Sequence, residues 1–67
     1  MINEDYYESF IGQSKETVLS RMNLPMTPYD SDEWIYLTGK HFLGLKERLY
    51  LFFRDNRVYD FFASSLV

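Results

Sequence analysis

The 67-residue chain is short enough for one small domain, and its lack of cysteine excludes disulfides, thiolate chemistry and Cys-ligated zinc. Apolar residues make up 46% and aromatics 19%, with six Tyr, six Phe and one Trp, so disorder from low hydrophobicity is excluded as well. The net charge of −3 is unevenly divided: residues 1–33 hold seven acids against two bases, a balance of −5, and residues 34–67 hold three acids against five bases, a balance of +2.

Asn3 is placed to cap a first helix over residues 3–11. Glu4 and Asp5 stand where the helix dipole favours negative charge, and Ile2 with Tyr7 suits a hydrophobic staple. Tyr6, Tyr7, Phe10 and Ile11 recur at helical spacing, and Gly12 can end the segment in the left-handed conformation. Ser14 reads as a second N-cap, with Glu16 in the first turn and Val18, Leu19 and Met22 on one face, until Pro25 forbids continuation. Residues 25–33 carry two prolines and neither period, which predicts a loop.

The period then changes. Trp34 to Thr38 are β-branched, aromatic or aliphatic and stop at Gly39; residues 45–54 alternate and stop at Asp55-Asn56; residues 57–62 are again aromatic-rich. A two-residue turn at Asp55-Asn56 makes the last two runs a hairpin, and a loop over residues 39–44 joins the first strand as an antiparallel meander. The predicted fold class is α+β, two N-terminal helices packed on a three-stranded antiparallel sheet, in one domain spanning residues 1–67.

Catalytic arrangements fail on missing residues. His41 is the only histidine, so an ordinary zinc site cannot be completed, and as a turn residue beside Gly39 and Lys40 it reads as solvated. A phosphate loop through Gly39-Lys40 would need glycine where Trp34 stands. The Asp30-Ser31-Asp32-Glu33 run begins like a calcium loop, but Ile35 occupies the required glycine position and no Glu closes it. The expectation is a non-enzyme with no cofactor and no metal site. The acidic start Met1-Ile2-Asn3-Glu4-Asp5 is unlike a basic secretory leader, and no apolar run approaches the roughly 18 residues of a membrane span, so a cytoplasmic protein is expected.

With Asp55-Asn56 as the turn, Arg54 is expected opposite Arg57, Phe53 opposite Val58, Phe52 opposite Tyr59 and Tyr50 opposite Phe61. Alternation then sorts Leu49, Leu51, Phe53, Val58, Asp60 and Phe62 to a face covered by the helices. Arg48, Tyr50, Phe52, Arg54, Arg57, Tyr59 and Phe61 fall on an open face of aromatic rings between basic side chains, the composition of a protein-binding surface. A three-residue turn with a bulge would flip the last strand relative to its neighbour and break that arrangement, and Asp60 on the covered side hints at that or at an edge strand. The open face could equally be covered by residues 63–67, by the 25–33 loop or by a second copy of the chain. Basic residues among aromatics also suit single-stranded nucleic acid, but the acidic net charge and lack of a clustered basic run argue against it.

The order Gly12, Ser14-Lys15-Glu16, Val18, Leu24-Pro25, an acidic loop, Trp34, Tyr36, then Leu49, Leu51, Phe53, Asp55 and Val58 resembles the SmpA/OmlA (BamE-like) domain, whose fold is shared with β-lactamase-inhibitor-protein repeats. The resemblance covers residues 10–60 and implies a small non-enzymatic binding domain. One branch of that family is lipid-anchored and assists outer-membrane assembly; another inhibits an enzyme by surface contact. This chain shows neither a leader nor a Cys and carries Leu24 where a glycine is common before the proline. The functional expectation is therefore a cytosolic inhibitor or immunity-type protein, with an outer-membrane assembly domain separated from its anchor as the alternative. A second placement of the partner uses the acidic half, Glu4, Asp5, Glu8, Asp30, Asp32 and Glu33, against a basic target such as a nuclease toxin.

Overall fold

A computed structural model describes residues 4–37 and 46–66, which run in the order α1 (Glu4–Glu8), α2 (Lys15–Met22), β1 (Glu33–Leu37), β2 (Lys46–Arg54) and β3 (Arg57–Leu66). The class is α+β: two short helices and a three-stranded antiparallel sheet with strand order β1-β2-β3. The expected Asn3 cap, the Ile2 staple, the end of the first strand at Thr38, the 39–44 loop and His41 lie outside the described residues.

The first helix is shorter than its periodicity predicts. Beyond Glu8 the chain tightens, and the amides of Ser9, Phe10 and Ile11 each donate three residues back, to Tyr6, Tyr7 and Glu8. Gly12 adopts φ +87 as expected, and the segment that follows pairs with the start of β3. Gly12 N–H donates to the Val58 carbonyl, Val58 N–H to Gln13, and Lys15 N–H to Asn56. This short rung covers the outer edge of β3 where it leaves the hairpin, an edge otherwise open to pairing with other chains.

Ser14 caps α2 with its hydroxyl accepting from Thr17 N–H, and Asn23 closes the helix at φ 75, two residues before Pro25. Lys15, in the first turn, is buried. Its Nζ donates to the carbonyls of Tyr29 at 2.9 Å and Ser31 at 3.0 Å and lies within 5.5 Å of the ring centroids of Tyr29, Trp34 and Phe53. Trp34 Nε1 donates to the same Tyr29 carbonyl. The loop before β1 is thus fastened to α2 and to the core side of the sheet. It also lines the outer edge of β1, where Met26 N–H donates to Ile35 and Thr27 Oγ1 to the Glu33 carbonyl.

The core lies between helices and sheet: Tyr7, Phe10 and Val18 from the helical half against Trp34, Tyr36, Leu49, Leu51, Phe53 and Val58. Leu19, Met22, Phe61 and Ala63 pack around it. The hairpin turns through Asp55 (φ 53) and Asn56 (φ 68), the two left-handed residues that a two-residue turn matched to strand twist requires. Phe53 pairs with Val58 as expected. Phe52, however, pairs with Asp60 and Tyr50 with Phe62, because Tyr59 is an extra residue bulged out of β3.

The bulge corrects two expected partners, Tyr59 for Phe52 and Phe61 for Tyr50. Beyond it, Phe61 turns to the helices, 6.2 Å from the Tyr7 ring, and Asp60 and Phe62 turn away from them. The physical reason is the carboxylate: a regular hairpin would aim Asp60 into the apolar layer, where an unpaired charge is costly. Residues 63–66 do not fold over the open face; they continue β3.

Candidate protein-contact face

Register and alternation place three rows of side chains on the face away from the helices. Leu37, Arg48 and Ser64 form the first row; Ile35, Tyr50 and Phe62 the second; Glu33, Phe52 and Asp60 the third. Phe62 is 57% exposed and Leu37 45%, large values for apolar side chains, and the two stand on opposite outer strands of the sheet, one row apart. Tyr50 and Phe52 run nearly parallel, centroids 6.5 Å apart and planes 11° apart, and Tyr50 meets Phe62 at 6.0 Å. The aromatic surface is therefore ordered by its own ring contacts.

Of the seven residues expected here, Arg48, Tyr50 and Phe52 lie together in the rows. Phe61 does not; Phe62 stands in its place. Arg54 and Tyr59 sit at the hairpin end, the Arg54 guanidinium 4.4 Å from the Tyr59 ring, and both are exposed. Arg57 is paired opposite Arg54 and reaches along the sheet edge, its Nη1 donating to the Gly12 carbonyl at 2.8 Å. Two positive charges opposite one another are kept apart in this way, one stacked on a ring and one on a carbonyl.

Six residues of the face escaped the hairpin-based reading: Ile35, Leu37 and Glu33 of β1, and Asp60, Phe62 and Ser64 of β3. For β1 the signal was present, since Trp34 and Tyr36 alternate with Glu33, Ile35 and Leu37 and only one set can face the helices. For Asp60 the signal was its conflict with the covered face.

Charge on the face is polarised. Arg48 stands at one end, with Nη1 3.4 Å from the Tyr50 hydroxyl and Nε buried without a hydrogen-bond partner among the described residues. At the other end Glu33 and Asp60 flank Phe52. A shallow cleft of about 560 Å³ opens beside them, lined by Asp32, Glu33, Asp55, Phe52, Arg54 and Tyr59 among others.

Perturbed ionisation occurs elsewhere. Burial pushes the Tyr36 phenol up to about 12, and its hydroxyl donates to the Asn23 carbonyl at 2.8 Å on the helix side. Glu16 is held below the usual carboxylate range, first by a backbone N–H and then by Asn56 Nδ2, which donates to it at 3.1 Å. The Tyr29 phenol is raised by desolvation and by its contact with Glu16. These groups tie loops to α2 and lie off the open face. Among the described residues, no three His, Cys, Asp or Glu side chains are grouped to hold a metal ion, and no helix is long and apolar enough to cross a membrane.

No family model matches the chain, and no curated protein or solved structure shows significant similarity to it.

Proposed function

We propose that the chain is a non-catalytic protein-binding module of the inhibitor or immunity type, acting by surface contact through its open sheet face. The observation that carries this reading is the run of apolar side chains on the open face, with Leu37 and Phe62 exposed and Ile35, Tyr50 and Phe52 half-buried between them, bordered by Arg48, Arg54, Glu33 and Asp60. Aromatic and Arg side chains supply much of the binding energy at protein interfaces, and charges at the rim set orientation.

The test is affinity capture followed by titration with the captured protein in purified form, comparing wild type, Phe62→Asp and, as a control off the face, Leu24→Asp. A protein bound by wild type and by Leu24→Asp, with a Kd raised about 100-fold by Phe62→Asp, is the expected outcome. Undiminished binding by Phe62→Asp overturns the placement of the contact on this face.

A further inference from the structure

Glu33 and Asp60 stand at one end of the open face and Arg48 at the other, with an apolar row between them. A two-fold axis lying in the plane of the face and running across the strands, through the Ile35, Tyr50, Phe62 row, brings each end against the opposite end of a second copy. Arg48 of one copy then lies over Phe52 of the other, between that copy's Glu33 and Asp60. An isologous contact of this kind requires a self-complementary patch, and the three rows are one.

We infer that the open face is covered by a second copy of this chain, packed sheet on sheet as a two-fold dimer. The inference rests on the reading of this face as a contact surface and specifies its occupant when no other protein is present; a heterologous partner would displace the second copy. One further observation supports it. Phe62 and Leu37, exposed at 57% and 45%, are the largest apolar losses to water on the face, and aligned sheet packing buries both.

The size of the face sets the expected strength. Three strands span about 14 Å and five residues along β1 about 17 Å, a footprint of roughly 240 Å² per copy, below that of standard specific interfaces and in the range of weak, transient contacts. The dimer is therefore concentration-dependent and held by apolar contact with the charges fixing its register.

Sedimentation equilibrium of the full chain, from about 10 μM to about 1 mM, reads it directly. The mass is expected to rise from 8.1 kDa toward twice that value. Arg48→Glu alone and Glu33→Lys/Asp60→Lys alone each weaken self-association at least about tenfold, since every charge contact becomes repulsive. Mixing the two variants restores a heterodimer, because both contacts then pair opposite charges again. Circular dichroism establishes that each variant is folded; should either fail to fold, Phe62→Ser replaces it and is expected to weaken the dimer.

Monomeric wild type across the range overturns the inference, as does a dimer indifferent to Arg48→Glu, Glu33→Lys/Asp60→Lys and Phe62→Ser. A monomer whose Phe62→Asp variant loses a heterologous partner overturns only the second copy and leaves the contact face standing. A charge-dependent dimer whose Phe62→Asp variant keeps its heterologous partner does the reverse.

Discussion

Phe52 lies opposite Asp60 across the hairpin, although its neighbour Phe53 lies opposite Val58, so Tyr59 belongs to β3 without a partner in β2. This single extra residue decides which of two adjacent phenylalanines enters the core. Phe61 packs against the core and Phe62 lies in water.

Substituting each phenylalanine with aspartate tests that assignment. Phe61→Asp places a charge in the apolar layer and is expected to cost about 3 kcal/mol or more, whereas Phe62→Asp is expected to cost less than about 1 kcal/mol. Urea denaturation followed by circular dichroism at low concentration, where self-association does not contribute, measures both. A regular hairpin would give the opposite order.

Lys15 joins α2 to the loop before β1 through two carbonyls and three aromatic rings. Lys15→Met keeps the aliphatic stem and removes the donors, leaving the Ser31 carbonyl without its Lys15 donor. The expected loss is about 1–3 kcal/mol, with a shift in Trp34 fluorescence as the Tyr29 loop loosens. Unchanged stability and emission would remove Lys15 from its role as the tie.

Gly12 at φ +87 has open space around the position where a Cβ would sit. Gly12→Ala is therefore expected to destabilise through backbone conformation alone, by about 1–2 kcal/mol, with no repacking of the core. Thermal unfolding gives the loss, and unchanged near-ultraviolet dichroism of the folded variant checks that the aromatic core is intact.

Alkaline unfolding should report Tyr36. Its phenol titrates near 10 in the unfolded chain and about 12 in the fold, so its contribution is complete below pH 10 and is lost as pH rises through about 12. Tyr36→Phe should lessen the fall of stability across that window, leaving the part that belongs to Tyr29, whose phenol is raised as well. On the acid side Glu16 is lowered, so its contribution is present above its ordinary value and is lost as pH falls through its folded one. Glu16→Gln should remove that dependence, as read from urea midpoints against pH.

Arg54→Glu distinguishes the sheet face from the acidic helical half as the heterologous surface. Arg54 is exposed and stacked on Tyr59, so the fold should tolerate the change within about 0.5 kcal/mol. Binding through the hairpin end of the face is expected to weaken about tenfold or more, read by titration, while binding through Asp5, Glu8 and Asp30 would be unaffected.

Local chemistry made much of this protein legible from its residues. Ser14 has a hydroxyl that can serve the first turn of a helix, Pro25 cannot continue one, and Asp55-Asn56 tolerates the left-handed pair that a tight hairpin needs. Leu49, Leu51, Phe53 and Val58 alternate with polar or aromatic neighbours and could face only one layer. Each of these depends on interactions within a few residues. The exchange of Phe61 for Phe62 did not, because a bulge is set by competition between two whole layers: one register buries Asp60, the other leaves Tyr59 unpaired, and the cost of burying that carboxylate, with the packing of Phe61 against Tyr7 and Leu51, decides between them. The burial of Lys15 is of the same kind, since its carbonyls and rings come from a loop and two strands far along the chain. The open face likewise became a single surface only when β1 was laid beside β2, bringing Glu33, Ile35 and Leu37 to rows that the hairpin alone could not complete.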